Sequence, residues 1–412
     1  LSSLLNTTIC LQLQMDNCRY FSGYVTQIQT DTPNKDYIPY HITFQSWLQL
    51  LEQQQQCRIF QEQSIIDILH SITQANSNFR LDTSLLSKTY PPLSYCVQYN
   101  ESDSRFIRRL LALHNIHFHF SHDRNRHTLV LVDTFANHIT GDIPSSSIIE
   151  DTQRSEQQYT HSAERYASSN YDYQKPQKKI ESSIQIKNTT NVFTKPLEHY
   201  EYPSNHLSAG SITDELKQIS HQQYKKHSLI THRKTIKLNE IYSSDASTTH
   251  LRVLSIHHVA HQSPQKGSYQ KIDAYHAHLH GIEASKPYSP TLIKKPSMIN
   301  GQIARVSGPE GKTVYVDSQG RIKIRFYWDH RKNSDKDSSC WIRVSELLAG
   351  NKWGTKFTPQ VGTEVWVDFI DADPDQPIVL RQAHNALYPT TYPSKNTAIN
   401  AIRSPNEEPL LP

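Results

Sequence analysis

A chain of 412 residues exceeds one hydrophobic core and is expected to divide into two or three domains. It is 36% hydrophobic and 20% charged, its mean hydropathy is −0.65, and it has no apolar run of about eighteen residues, which excludes a membrane-spanning helix. A net charge of only +4 is too little to imply nucleic acid as a partner. Five cysteines (Cys10, Cys18, Cys57, Cys96, Cys340) are odd in number and scattered, which points to reduced, structural thiols made in a reducing compartment. The start at Leu1 has neither Met nor a signal-peptide profile, so the chain is expected to begin inside a longer protein.

In chain order, residues 8–60 read as strands, with Ile9, Leu11 and Leu13 alternating with polar residues, then 20–28 and 40–44. Ser64 predicts a helix N-cap with Asp67 three residues on, and Ile65, Ile68, Leu69 and Ile72 share one face. Ser102 and Asp103 open a second helix with the stripe Phe106, Leu110 and Leu113, and Asn115 is its left-handed terminator. Strands follow at 117–120 and 128–132. Residues 136–170 are polar and aperiodic and read as an insertion or linker. Ser211 with Asp214 opens a third helix carrying Leu216 and Ile219, then strands come near 251–259 and 275–279.

The strongest pattern lies in the last hundred residues. Ile322, Ile324, Phe326 and Trp328 point one way while Arg321, Lys323, Arg325 and Tyr327 point the other. Val365, Val367 and Phe369 alternate with Glu364, Trp366 and Asp368. Strands recur between Gly301 and Ala386 as a small closed antiparallel barrel requires. Beyond Asn385 the chain is Pro-, Asn- and Ser-rich with no core pattern.

Each constellation that could carry chemistry has a plainer reading. Gly308–Thr313 imitates a phosphate loop, but two residues separate its glycines where four are needed, so a turn is expected. Asp371, Asp373 and Asp375 begin like a calcium loop, yet Gln376 stands where glycine is required and Gln382 where a bidentate Glu belongs, which leaves a solvated turn. His276, His278 and His280 alternate on a strand, His117 and His119 repeat the pattern, and His257 and His258 lie near another strand. That geometry suits a transition metal, but no Asp, Glu or Cys stands at ligand spacing, so strand-surface histidines are expected instead. There is no GxSxG elbow and no Cys in a Gly-rich, helix-opening context. The expectation is therefore no catalytic, cofactor-binding or metal residue, and no enzyme. Single-stranded nucleic acid is a common ligand of small barrels, but residues 296–386 hold twelve Lys/Arg against eleven Asp/Glu, which makes no basic funnel.

Ala304-Arg-Val-Ser-Gly-Pro-Glu-Gly-Lys312, Asp317–Asp329, Ser338–Val344, Gly350–Phe369 and Asp373–Ile378 follow one another in an order that closely resembles the VgrG tip proteins of bacterial type VI secretion systems. Phe21–Thr26, Arg58–Gln61, Tyr95–Asp103 leading into Phe106–Leu111, Tyr171–Tyr173 and Tyr200–Pro203 resemble that family's hub region. The resemblance covers essentially the whole chain.

It implies a mainly β chain with a few helices (α+β): a phage-tail-hub-like region with β-barrel domains over 1–295, then an oligonucleotide/oligosaccharide-binding (OB) type antiparallel barrel over 296–386. Residues 387–412 are then a linker toward a β-helix needle beyond this chain. The implied role is structural: a homotrimer that caps the Hcp tube, carries a PAAR-repeat tip and effectors, and is made in the bacterial cytoplasm and secreted. Neither nucleic acid nor stable membrane insertion is implied. A contractile phage or prophage tail hub-spike is the alternative of the same kind. A spike bearing a wall-degrading or toxin domain outside this chain is the alternative of another kind. Two departures from the family are the Ser at 204, where Gly commonly follows Tyr-Pro, and the poor match of 136–170.

Overall fold

A computed structural model describes residues 2–390, apart from 15–17, 33–37, 75, 135–151, 159–162, 187–196, 207, 222–225, 232–240, 243–249, 262–273, 284–286 and 331–337. It divides into two compact units. One comprises Leu1–Gln56, Glu62–Leu93 and Asn100–Lys295; the other comprises Cys57–Gln61, Ser94–Tyr99 and Pro296–Pro412.

The first unit opens with a three-stranded antiparallel sheet, β1 (Thr8–Gln14), β2 (Cys18–Thr30) and β3 (Tyr40–Gln45). Residues 8–60 are not all strand, however. After β3 the chain turns into α1 (Trp47–Leu50) before β4 (Gln55–Phe60). Trp47 and Leu48 are fully buried, and a four-residue helix is too short to show helical periodicity in the sequence.

α2 (Ile65–Thr73) starts where its cap predicts. Ser64 Oγ accepts the Asp67 N–H at 3.2 Å, and Asp67 Oδ2 accepts the Ser64 N–H at 3.0 Å. Ile65, Ile68, Leu69 and Ile72 are all buried on its inner face. Because two otherwise orphaned N–H groups depend on this box, Ser64→Ala is expected to destabilise the unit by about 1 kcal/mol, and Ser64→Asp to retain most of it, as read by the urea midpoint.

β5 (Arg80–Leu85) and β6 (Cys96–Ser102) lead to α3 (Asp103–Leu113), whose first turn is capped by Ser102 Oγ accepting from the Arg105 N–H at 3.1 Å. The buried face of α3 is Phe106, Ile107, Leu110 and Leu111; Leu113, expected in the stripe, is only half-buried. The helix ends as a Schellman motif. Asn115 takes φ 55°, its N–H bonds to Ala112 O, and the Ile116 N–H reaches back to Leu111 O at 2.8 Å. β7 (His117–His122) and β8 (His127–Val132) then form a hairpin, and β5 pairs parallel to β8. Asp133, just past β8, accepts the Ser87 and Lys88 N–H groups and the Tyr90 hydroxyl, and so ties the loop after β5 down.

The stretch 136–170, expected as an insertion or linker, holds β9 (Thr152–Gln158) and β10 (Arg165–Asn170). β10 lies between β11 (Ile180–Gln185) and β12 (Glu198–Glu201), and α4 (Ala209–His221) packs against β10 and β11. Tyr166, Ile180, Ile212 and Leu216 make that small core. α4 begins two residues before the predicted Ser211, and the hydroxyl that accepts its first-turn N–H belongs to Ser208. β13 (Lys226–Thr231), β14 (Ile241–Tyr242), β15 (His250–His261) and β16 (Ala274–Glu283) complete a five-stranded sheet in the order β14-β15-β16-β13-β9. β9 is an edge strand there, and an edge strand need not carry a two-sided apolar pattern.

The second unit is the barrel. β17 (Gln302–Ser307), β18 (Lys323–Phe326), β19 (Arg343–Val344), β20 (Ala349–Gly350), β21 (Trp353–Gly354), β22 (Glu364–Phe369) and β23 (Pro377–Ala383) follow in sequence. The sheet order is β18-β17-β22-β23-β19, and reciprocal hydrogen bonds between Ile322 and Ile342 join its two ends. The barrel is closed but not wholly antiparallel, because β19 runs parallel to β23. Ile322, Ile324, Phe326, Val365, Val367 and Phe369 fill it, joined by Ile59 and Val97 from the two short segments of the same unit. Trp328 is only partly buried and stacks on Phe326 at 4.8 Å. Asp375 Oδ1 accepts the Val97 N–H at 2.6 Å.

Candidate assembly surfaces

Chemistry-bearing residues of the sequence turn up mostly in structural roles. Gly308–Thr313 is the turn after β17, closed by the Lys312 N–H on Pro309 O with Gly311 at φ +75°. The Asp371–Asp375 stretch turns between β22 and β23. Asp371 and Ala372 take left-handed φ, and Asp373 Oδ1 accepts the Asp375 N–H at 2.9 Å, so these carboxylates serve the turn and the barrel. Burial pushes the Cys340 thiol up to about 12, which makes it a poor nucleophile.

The histidines divide by strand face. His278 lies opposite His257 across β16 and β15, with ring centroids 6.0 Å apart, and His276 is 5.3 Å from His278. His280 is exposed beside Ser255, and His117 packs on Tyr288 at 5.4 Å. Among the described residues no group of three His, Cys, Asp or Glu is arranged to hold a metal ion.

What the barrel unit does present is a built apolar surface. After β19 the chain forms a hairpin, β20 paired with β21, whose base is closed by Glu346. Its carboxylate accepts the Phe357 N–H at 3.1 Å and the Thr355 hydroxyl at 3.3 Å, while the Thr355 N–H bonds to Leu348 O. Gly354 is required in it, and Gly350 gives the Trp353 ring its room. A Cβ on Gly350 would lie 2.1 Å from the Trp353 indole, and Gly354 sits at φ +139° against Leu348 O. The large apolar side chains of this stretch are exposed: Leu347 is 82% exposed and Trp353 64%, with Leu348 and Phe357 beside them in sequence and also exposed. Several large apolar side chains left in water along one short stretch are a candidate interaction surface. The first unit has a milder counterpart in exposed Tyr171, Tyr200 and Tyr202, with Tyr200 held by a 2.7 Å hydroxyl contact to Ser169. The sequence does not distinguish outward from inward aromatics here, because the hairpin strands are two residues long.

Comparison with known proteins matches residues 1–261 to the family model of the phage tail baseplate hub (GPD), and residues 312–384 to the type VI secretion system/phage-baseplate injector OB domain. The type VI secretion system spike protein VgrG1b of Pseudomonas aeruginosa is 29% identical over 93% of this chain and 54% of its own length. The actin cross-linking toxin VgrG1 of Vibrio cholerae is 28% identical over 87% of this chain and 34% of its own. The chain thus spans about half the length, or less, of these curated relatives. Among solved structures, an E. coli component of the type VI secretion system, described as similar to the T4 bacteriophage tail proteins gp27 and gp5, superposes with a TM-score of 0.64. It is 18% identical, covering 92% of this chain and 87% of that one, and shows the shared fold.

Proposed function

The chain belongs to the phage tail baseplate hub family, and from that membership we propose that it is the hub and barrel portion of a type VI secretion spike. The observation that carries this is the succession, in one chain, of a hub region and a closed five-stranded OB-type barrel whose Gly350–Phe369 stretch holds outward-facing apolar side chains. Barrel and hub act as scaffold and docking surface. The reading assigns them no reaction, no cofactor and no metal.

A hub that docks on a ring-shaped tube needs closed rotational symmetry, and a trimer is the closed form proposed. Three copies capping the Hcp tube, with a PAAR-repeat tip and effectors carried beyond them, are the partners this role calls for. Export by the secretion system follows from the same role. The linker expected over 387–412 lies, from 391 on, outside the described residues.

Light scattering over a dilution series tests the assembly. The chain of residues 1–412 is expected as a 47.5 kDa monomer in exchange with a concentration-dependent trimer. A stable dimer or any tetramer refutes the three-fold spike. Deleting the gene in its own bacterium is expected to abolish release of the tube protein into the medium, with recovery on re-expression. Unchanged release together with tailless phage particles would move the chain to the prophage reading.

A further inference from the structure

The first unit contains two histidines used as hydrogen-bond acceptors by backbone amides, far apart in sequence and close in space. His127 Nε2 accepts the N–H of Trp47 at 2.8 Å, and His122 Nδ1 accepts the N–H of Ser22 at 3.2 Å. A backbone N–H can only donate, so each accepting nitrogen must be bare. That fixes both tautomers: His127 carries its proton on Nδ1, and His122 on Nε2. The Trp47 N–H is the first of α1, and Ser46, which precedes it, makes no side-chain cap bond. His127 supplies the missing cap from a strand 80 residues away.

The two rings are 5.9 Å apart, and the surroundings are apolar and cationic rather than acidic. Phe120 and Tyr24 pack edge-on to His127, and Trp47 stacks on Phe79 at 5.0 Å. Phe21 lies against both His122 and His258, with the Arg19 guanidinium over its face. The charged or titratable groups facing the rings are Arg19 and Tyr24 from β2, His257 and His258 from β15, and Asp123 from the turn after β7. Asp123 acts on His122, but it is mostly exposed and paired with Arg126, so it is a weak counter-ion.

We propose that this seam is an acid-released lock: protonating His122 and His127 removes both acceptors at once and frees β2 and the start of α1 from the β7–β8 hairpin. A doubly protonated ring offers N–H to N–H, which turns each bond into a repulsion, and the two cations face each other and Arg19 across apolar packing. Burial, with the charge of His122 added, pushes His127 down to about 4; burial also lowers His122, and burial with Arg19 and His257 takes His258 to about 4. The ring titrates near 6.5 when unfolded, so the open state binds more protons between these values. The lock is therefore complete above about 6.5 and loosens as pH falls toward about 4. This inference is independent of the spike reading, since it concerns only how the first unit holds itself together.

Hydrogen exchange of the whole chain at pH 7 and pH 5, corrected for intrinsic rates, tests it. Peptides covering 19–25 and 46–50 are expected to lose protection by on the order of 10-fold per pH unit for each ring. Peptides from α2 and from the barrel are expected to keep theirs. In His127→Gln and His122→Asn the amide oxygen accepts the same N–H at any pH, so the acid response of the two peptides is expected to shrink. Equal protection at both pH values, simultaneous opening of the whole unit, or an undiminished response in the double variant would overturn the lock. Nitrogen-15 histidine spectra of the unaltered protein at pH 7 add a check free of folding defects. The Nδ1–H form for His127 and the Nε2–H form for His122 are required, and the opposite tautomers refute it.

Discussion

Replacing Arg109 with methionine is expected to cost the first unit about 3–5 kcal/mol, among the largest effects of any single substitution in the chain. Arg109 and Glu101 are each only 3% exposed, and they meet as a fork: Nη2 to Oε1 at 2.7 Å and Nε to Oε2 at 3.2 Å. The guanidinium also lies over the Phe106 ring at 5.1 Å, which binds the pair to the core face of α3. Removing the cation leaves a buried carboxylate without its fork, and Arg105, a further basic neighbour at 4.0 Å, is half exposed. The penalty is that of a buried carboxylate stripped of its two-bond fork, not the net worth of the pair. It follows that Glu101→Leu combined with Arg109→Met should recover much of the loss, and a double-mutant cycle reads this directly. Urea unfolding followed by far-ultraviolet circular dichroism reports the first unit. The four tryptophans of the barrel unit give a second signal that should keep its midpoint. A single-variant loss below about 1 kcal/mol would mean that water reaches Glu101 and that the fork is a surface pair.

The contrast between this pair and its neighbours shows what a sequence can disclose. The capping box at Ser64 and the left-handed Asn115 are local devices, complete within four residues, and they are read directly from residue type and spacing. So is the alternation of Ile322, Ile324 and Phe326, because period 2 assigns each side chain to a face before any partner is known. The lock at His127 and Trp47 is another matter. Each residue looks ordinary in its own window, and only the fold brings them together across 80 positions. The same holds for Ile59 and Val97, which sit in the barrel core although they are more than 190 residues from its first strand. β9 was hidden because an edge strand carries little alternation, and β19 because two residues cannot show a period. The family resemblance did not supply them either: it placed 1–295 in the hub and matched 136–170 poorly, whereas β9 lies at Thr152–Gln158 and residues 57–61 and 94–99 join the barrel unit. The outward-facing hairpin of Leu347 and Trp353 needed coordinates, since exposed and buried tryptophans have the same letter.

Phe326→Ala is expected to destabilise the barrel by about 3–5 kcal/mol, while Tyr327→Ala, one residue on, should stay within about 0.5 kcal/mol. Phe326 is buried in the barrel, stacked on Trp328 at 4.8 Å and against Phe369 at 6.0 Å, so truncation loses its transfer energy and leaves a cavity that neighbouring rings cannot fill. Tyr327 follows it on the outer face, 64% exposed. The two changes remove aromatic rings of nearly the same size from adjacent positions, so propensity and chain entropy largely cancel in the comparison. What remains is the difference between inside and outside. That difference exists only if the sheet is closed, which the reciprocal Ile322–Ile342 hydrogen bonds achieve by joining the first and last strands. In an open sheet the Phe326 side would still meet water at its rim, and the two costs would converge. Barrel unfolding read by tryptophan fluorescence in urea should therefore separate the two variants widely. Similar midpoints for both would show that residues 302–383 do not close into a barrel around this side chain.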